Sequence, residues 1–270
     1  MLPAAQKYLQ VLLIVLIIFV SVTKQLENLT LTKAEKRKVD QFKDAISTLV
    51  FPRETMKEEL NLVRYLRARR WDVTRANSML MQTVKWWEDY KMNSIHDEDW
   101  SSFQKDYPIF INGTDKNGLP ILALPLGDWD LRKAAVQGQI PNVIRWFIKN
   151  VDEVHTITRN LANGGKMNGT QWNLIGNLAN FTRHQHMCVP CIRFHTEFAT
   201  MYESHYPGGI GRLITLNTPS VFQVLLTLVG PVLSSTTRDA MQTLGTSKEE
   251  WAKVLRPNFE GNQLPESFRW

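Results

Sequence analysis

The chain has 270 residues, 43% hydrophobic and 10% aromatic, enough for one large domain or a small one plus a larger one, and too apolar for a disordered chain. Lys and Arg outnumber Asp and Glu by 32 to 26, and the net charge of +6 points to an anionic partner, membrane or nucleic acid. The sequence holds no RNP-like string, zinc-finger spacing or basic zipper, which sets nucleic acid aside, and its two cysteines are too few for a disulfide framework.

The first element is "YLQVLLIVLIIFVSV", whose apolar run from Leu9 to Val22 is broken only by Gln10 and Ser21. It is shorter than the ~20 residues of a membrane span and fits the apolar region of a signal peptide, though no convincing cleavage site follows. Residues 1–23 are therefore expected to be a signal peptide or a membrane anchor. Four N-x-S/T sequons follow at Asn28, Asn112, Asn168 and Asn180, the middle two in Gly-containing turns. Together these features lean toward a glycoprotein of the secretory pathway or a membrane-associated chain. The alternative is a cytoplasmic protein peripheral to membranes.

Residues 30–95 read as a small helical lobe. Thr32 and Glu35 form a capping-box pattern ahead of Val39, Phe42, Ile46 and Leu49, and Phe51-Pro52 is expected to stop that helix. A second helix is expected over Glu54–Arg70, and a third from the cap Asp72, with Ala76, Leu80, Val84 and Trp87 on one face. Much of the positive charge lies in 33–70, as a solvated basic face or as one that attracts a membrane.

Residues 96–270 change character. "YPIFING" and "LPILALPLG" are strand-like runs joined by the turn-rich 114–118, a hairpin signal. A long helix is expected from Ile140, with Pro141 at its first position and Val143, Phe147, Val151 and Val154 on one face. "TQWNLIGNL" is a strand, Ile192–His205 a helix, and "GRLITLN" another strand. A helix is expected from Pro219, and another from Ser235 or Thr236 through Leu244. Ser247 and Glu250 then form a capping-box pattern ahead of Trp251, Val254 and Leu255. Strands alternating with helices argue for an α/β lobe with a mostly parallel sheet.

The window Leu213–Thr237 carries no charged side chain. In the helix expected after Thr218-Pro219, Phe222, Leu225, Leu226 and Val229 share one face, and Val221, Val224 and Leu228 lie opposite. Such a helix is buried, or faces apolar ligand or lipid. At about 11 residues it spans only ~16 Å, too short to cross a bilayer.

A rival chemistry sits in "HQHMCVPC". His184, His186, Cys188 and Cys191 are zinc-ligand types, and CxxC is a thiol-redox spacing. No second CxxC accompanies them, and a simple disulfide or two buried thiols is the plainer alternative. The sequence has no G-x-S-x-G elbow, HExxH or P-loop, so no catalytic constellation and no cofactor are expected.

Three stretches, "LVRYLRARRWDVTRANSML", "GTDKNGLPI" and "YPGGIGRLITLNTPSVFQVLLTLVGPVLSSTTRDAMQTLG", in that order, resemble the CRAL-TRIO lipid-binding family, which includes phosphatidylinositol transfer proteins, the tocopherol transfer protein and cellular retinaldehyde-binding protein. The resemblance is nearest to the animal SEC-fourteen-like subgroup and covers roughly residues 43–268. It implies an α/β fold in which a helical lobe precedes an α/β lobe whose apolar pocket is closed by a gate helix at 219–229; Gly230-Pro231 after it is the expected hinge, since Gly relaxes the backbone and Pro ends the helix. It also implies a non-enzymatic protein that binds one hydrophobic lipid and transfers or presents it at membranes, the surface being anionic; a lipid-sensing adaptor is the alternative. The lipid-binding residues implied are Arg69, Arg70, Phe222, Leu225, Leu226, Val229 and Thr237. In members that bind phosphatidylinositol, the headgroup is held by a basic pair, a Glu, a Thr and a Lys. Arg69, Arg70 and Thr237 match that pattern, but Gly208 stands at the Glu position and Ala240 at the Lys position. A sterol, isoprenoid, tocopherol-like molecule or phosphatidylcholine therefore matches at least as well as an inositol lipid.

Overall fold

The computed structural model describes residues 27–270; the expected signal peptide or anchor at 1–23 lies outside them. Helix α1 spans Lys33–Ile46. Thr32 Oγ1 accepts the Glu35 N–H at 3.2 Å and Glu35 Oε2 accepts the Thr32 N–H at 2.8 Å, so both halves of the capping box form. Val39, Phe42 and Ile46 are buried on its inner face, and the helix stops at Ile46, before Pro52 is reached.

The expected single helix over 54–70 is instead a 3-10 turn, Glu54–Lys57, followed by α2, Glu59–Ala68. Glu58 is the break: its extended ψ of 138° is incompatible with a continuous helix. At the far end Arg70 and Trp71 adopt φ of 53° and 62°, and the Trp71 N–H reaches back to the Leu66 carbonyl. This is a Schellman-type stop made without glycine, in a region that disfavours side chains by about 1 kcal/mol or more per residue. Asp72 then caps α3, Val73–Asp89, accepting from the Arg75 N–H.

The second lobe is built on a five-stranded sheet in the order β1 (Phe110–Thr114), β2 (Pro120–Leu124), β3 (Trp172–Asn177), β4 (Ile210–Leu216) and β5 (Met241–Thr243). The β1–β2 hairpin is antiparallel, and its turn is held by Asp115 Oδ1, which accepts from the Asn117 and Leu119 N–H groups. The other pairings are parallel, with crossover helices α5 (Leu131–Val136), α6 (Ile140–Asn163) and α8 (Val189–His205); short helices α4 (Ser101–Asp106) and α7 (Arg183–His186) lie in the connections. Asn112 lies exposed within β1 rather than in a turn.

Side chains alternate between two cores, as the strand period requires. Leu122, Leu124, Trp172, Leu174 and Ile210 join the core under α6 and α8. Ile121, Ala123, Ile175, Ile214 and Leu216 face the other way, against Trp251 and Leu255 of α11 (Lys248–Leu255) and Phe259, Leu264 and Phe268.

Two boundaries differ from expectation next to β4. The helix after Pro219 begins only at Phe222: α9 is Phe222–Val229, with Pro219 in the turn ahead of it. The helix expected through Leu244 is α10, Ser235–Ala240, capped by Ser234. Residues 241–243 are the edge strand, pairing Leu213 with Met241 and Thr215 with Thr243, so sheet pairing overrides the local helical pattern. Among the described residues no helix is long and apolar enough to cross a membrane.

Candidate functional site

Between the sheet and α8 lies a cavity of about 130 Å³. Leu174 and Leu213 form its floor, Phe194, Phe198 and Tyr202 of α8 one wall, and α9 covers it. Phe222, Leu225, Leu226 and Val229 all line it, with Leu225 only 3% exposed. The other face of α9 points to solvent, where Val224 and Leu228 are 55% and 45% exposed. A helix apolar on both faces is thus buried on one and bare on the other.

The few polar groups lining the cavity are already partnered. The Tyr202 hydroxyl accepts the Ile210 N–H at 2.7 Å, and burial pushes its pKa up, so it stays a neutral phenol. His195 Nε2 lies 3.1 Å from the His186 carbonyl, and burial lowers its pKa to about 4, so it is a neutral donor there. Thr215 and Thr218 share a hydroxyl–hydroxyl bond, and Thr237 Oγ1 accepts from Ser234. What the wall presents is apolar and uncharged.

Of the residues implied by resemblance, Thr237 lines this cavity, but Arg69 and Arg70 do not. Arg69 is half-buried, with Nη1 donating to the Ala68 carbonyl. Arg70 is exposed and borders a separate polar cleft with Gly208, Ser234, Ser235 and Thr236. Ala240 is buried and adds no charge to either.

The polar cleft holds residues that the sequence pattern did not single out. Arg64, 4% exposed, bonds Glu27 Oε2 through Nη2 at 2.6 Å, while Arg67 reaches Oε1 at 3.1 Å and Thr170 Oγ1 donates at 2.6 Å. Burial works to raise the Glu27 pKa, but the arginines and Thr170 outweigh it and hold the carboxyl below its ordinary range. Gly208 has φ +71°, a conformation suited to glycine, and a Cβ there would touch Arg64 Cγ at 3.5 Å. A carboxylate from far upstream thus serves Arg64 beside the glycine.

Cys188 and Cys191 are joined in a disulfide, which removes both thiolates. His184 is exposed, and His186 is stacked on Phe181 with centroids 4.4 Å apart. Among the described residues no group of three His, Cys, Asp or Glu is placed to hold a metal, so these four residues do not form the zinc site considered above.

Residues 104–269 match the CRAL/TRIO domain, and 38–82 match the CRAL/TRIO N-terminal domain. The chain belongs to the CRAL/TRIO family. Members of the family bind hydrophobic lipids, and the helical lobe and the mostly parallel five-stranded sheet are the fold the family match calls for. The solved structure of Sfh5 superposes with a TM-score of 0.67 over 83% of this chain and 84% of that one, at 14% identity. CRAL/TRIO relatives include the SEC14 cytosolic factor of Candida glabrata, 24% identical over 78% of this chain and 70% of that protein. A CRAL-TRIO domain-containing protein of Caenorhabditis elegans is 25% identical over 78% of this chain, and Protein real-time of Aedes aegypti 27% over 68%. The match spans only 30% of the nematode protein and 29% of the mosquito one. The family rests on the domain match over 104–269; the relatives, fungal and invertebrate, do not single out the animal transfer-protein subgroup.

Proposed function

We propose that this CRAL/TRIO protein carries a single, mostly apolar lipid in the cavity beneath α9 and delivers or presents it at membranes, without catalysing a reaction. The observation that carries this reading is α9 itself: Leu225 faces an uncharged cavity while Val224 and Leu228 stand in solvent. Burying a Val or Leu side chain in a bilayer interface returns about 1.5–3 kcal/mol, so contact with a membrane favours the helix leaving its seat. The basic helical lobe attracts an anionic surface, at which α9 swings out and one lipid passes. The cavity of about 130 Å³ is the closed state, smaller than the ~300–1,000 Å³ of ordinary ligand pockets, so loading requires that outward movement.

The ligand reading follows from what surrounds the cavity. With Arg69 and Arg70 outside it, Gly208 and Ala240 uncharged, and Arg64 and Arg67 paired with Glu27, a sterol, isoprenoid, tocopherol-like lipid or phosphatidylcholine suits it better than an inositol phosphate headgroup. We place the protein at membranes of the secretory pathway, with a peripheral cytoplasmic position as the alternative.

Native mass spectrometry of protein made in a eukaryotic host, followed by lipid extraction, tests the reading. One lipid per chain is expected; an empty cavity in every preparation overturns it. Bulk transfer between vesicles then separates a carrier from a lipid-sensing adaptor.

A further inference from the structure

The CxxC turn fits no step of lipid carriage, yet its geometry is specific. Cys188 is the N-cap of the 17-residue helix α8, and its Sγ accepts the Cys191 N–H at 3.2 Å. It is half-buried, beside Val189, which is 85% exposed, and the exposed Pro190; Cys191 is fully buried. The two sulfurs therefore differ in access. The bond closes a loop of sequence separation 3, and so short a loop removes little entropy from the unfolded chain, which leaves the disulfide a weak staple.

The surroundings are already arranged for the reduced state. A Cys188 thiolate would lie at a helix N-terminus, accepting the same N–H, in the setting that lowers a thiol pKa. Cys191 Sγ lies 3.6 Å from the Gln185 carbonyl oxygen, an acceptor that the disulfide cannot use and a thiol can.

The turn is also joined to the lid of the cavity. His195 of α8 bonds the His186 carbonyl, the His186 ring stacks on Phe181, and Phe181 meets Phe222, the first residue of α9, edge to face at 5.7 Å. The disulfide holds residue 188, just after this stack, against the first turn of α8.

We propose that Cys188–Cys191 is an exchange-competent disulfide, opened by a dithiol at Cys188, and that its reduction loosens the wall against which α9 closes. The attacking thiolate forms a mixed disulfide with Cys188 Sγ, breaking the intramolecular bond, and Cys191 leaves as a thiolate that takes a proton and bonds Gln185 O. The second thiol of the reagent then attacks the mixed disulfide. Cys188 leaves as a thiolate and the reagent as its own cyclic disulfide, so two electrons pass to the protein. The link to lipid release rests on the function proposed above, but neither readout below uses lipid.

The test uses the full chain with dithiothreitol and glutathione as probes, thiols counted by maleimide mass shift and amide exchange followed by mass spectrometry. The chain has only two cysteines, so every shift is assignable. Millimolar dithiothreitol is expected to expose two thiols in the still-folded chain, and glutathione alone to give one adduct, on Cys188. Reduction is expected to raise exchange across 180–188 and α9 by roughly threefold or more while β3 is unchanged. The double variant C188S/C191S should show the raised exchange permanently; C188S keeps a hydroxyl N-cap, so an effect in it is not loss of the cap. A disulfide that dithiothreitol opens only on unfolding, an adduct on Cys191, or unaltered exchange in α9 overturns the proposal.

Discussion

Glu27 and Arg64 form a buried ion pair, Oε2 to Nη2 at 2.6 Å, that ties the segment before α1 to α2, with Thr170 from the second lobe bonded to both. Removing one partner strands the other charge in a site 4–8% exposed, where losses of about 3–5 kcal/mol are the rule. Glu27→Gln should lower the denaturation midpoint accordingly. The double change Glu27→Gln with Arg64→Met should recover much of the loss. A Glu27→Gln chain as stable as the parent would show that the carboxylate, with its bonds to Arg64, Arg67 and Thr170, adds nothing net to the fold.

Acid should weaken the fold in two stages. Burial lowers His195 from 6.5 to about 4, and His155 and His205 likewise, so these side chains are neutral when folded and protonate first in the unfolded chain. The unfolded state then binds more protons, and stability present above pH 6.5 is lost as pH falls toward about 4, by up to about 1.4 kcal/mol per pH unit for each. Glu27 and Asp152 act lower: their carboxyls are held below 4.5 and 3.8, so what they contribute is lost only as pH drops beneath those values. Urea midpoints measured in steps between pH 7 and 3 check the order, and His195→Gln should shrink the first stage, with His155 and His205 carrying the rest, and leave the second unchanged.

The two faces of α9 should respond differently to charge. Val224→Asp and Leu228→Asp change exposed positions, so stability should move by less than about 0.5 kcal/mol. Vesicle-to-vesicle transfer should nonetheless fall by roughly tenfold or more, because about 1.5–3 kcal/mol of membrane contact is lost at each. Leu225→Asp, on the cavity side, should abolish lipid retention and lower the thermal midpoint too. Equal effects of all three on transfer and stability would mean α9 is a fixed wall.

Gly230 constrains α9 through space, not through an unusual φ. Its backbone is right-handed helical, but an added Cβ would sit 2.7 Å from the Leu226 carbonyl oxygen. Gly230→Ala should therefore distort the last turn of α9, to which Leu226 belongs, destabilise by about 1–3 kcal/mol and speed lipid exchange. Unchanged uptake and release in that variant would remove the hinge at 230–231.

Much of the architecture was legible because its signals are local. The Thr32 and Asp72 caps, the turn at 115–118 and the inner faces of α1, α3 and α6 depend on residues three or four apart, which any reader of the chain can see. The grouping of Phe222, Leu225, Leu226 and Val229 on one face of α9 was legible for the same reason, and only the family resemblance marked that face as lipid-facing. Which apolar face turns inward was not, since both faces carry Val or Leu and only packing against α8 and the sheet separates Leu225 from Val224.

The sequence by itself determined the two-lobed plan, the charge-free window and the types of residue around the cavity, since helical and strand periodicity need no partner to be read. Tertiary structure alone decided that 241–243 pair with β4, that Arg69 and Arg70 stay outside the cavity, and that Glu27 reaches Arg64 across 37 positions. Those outcomes depend on long-range hydrogen bonds and ion pairs, whose energies arise only when distant segments meet.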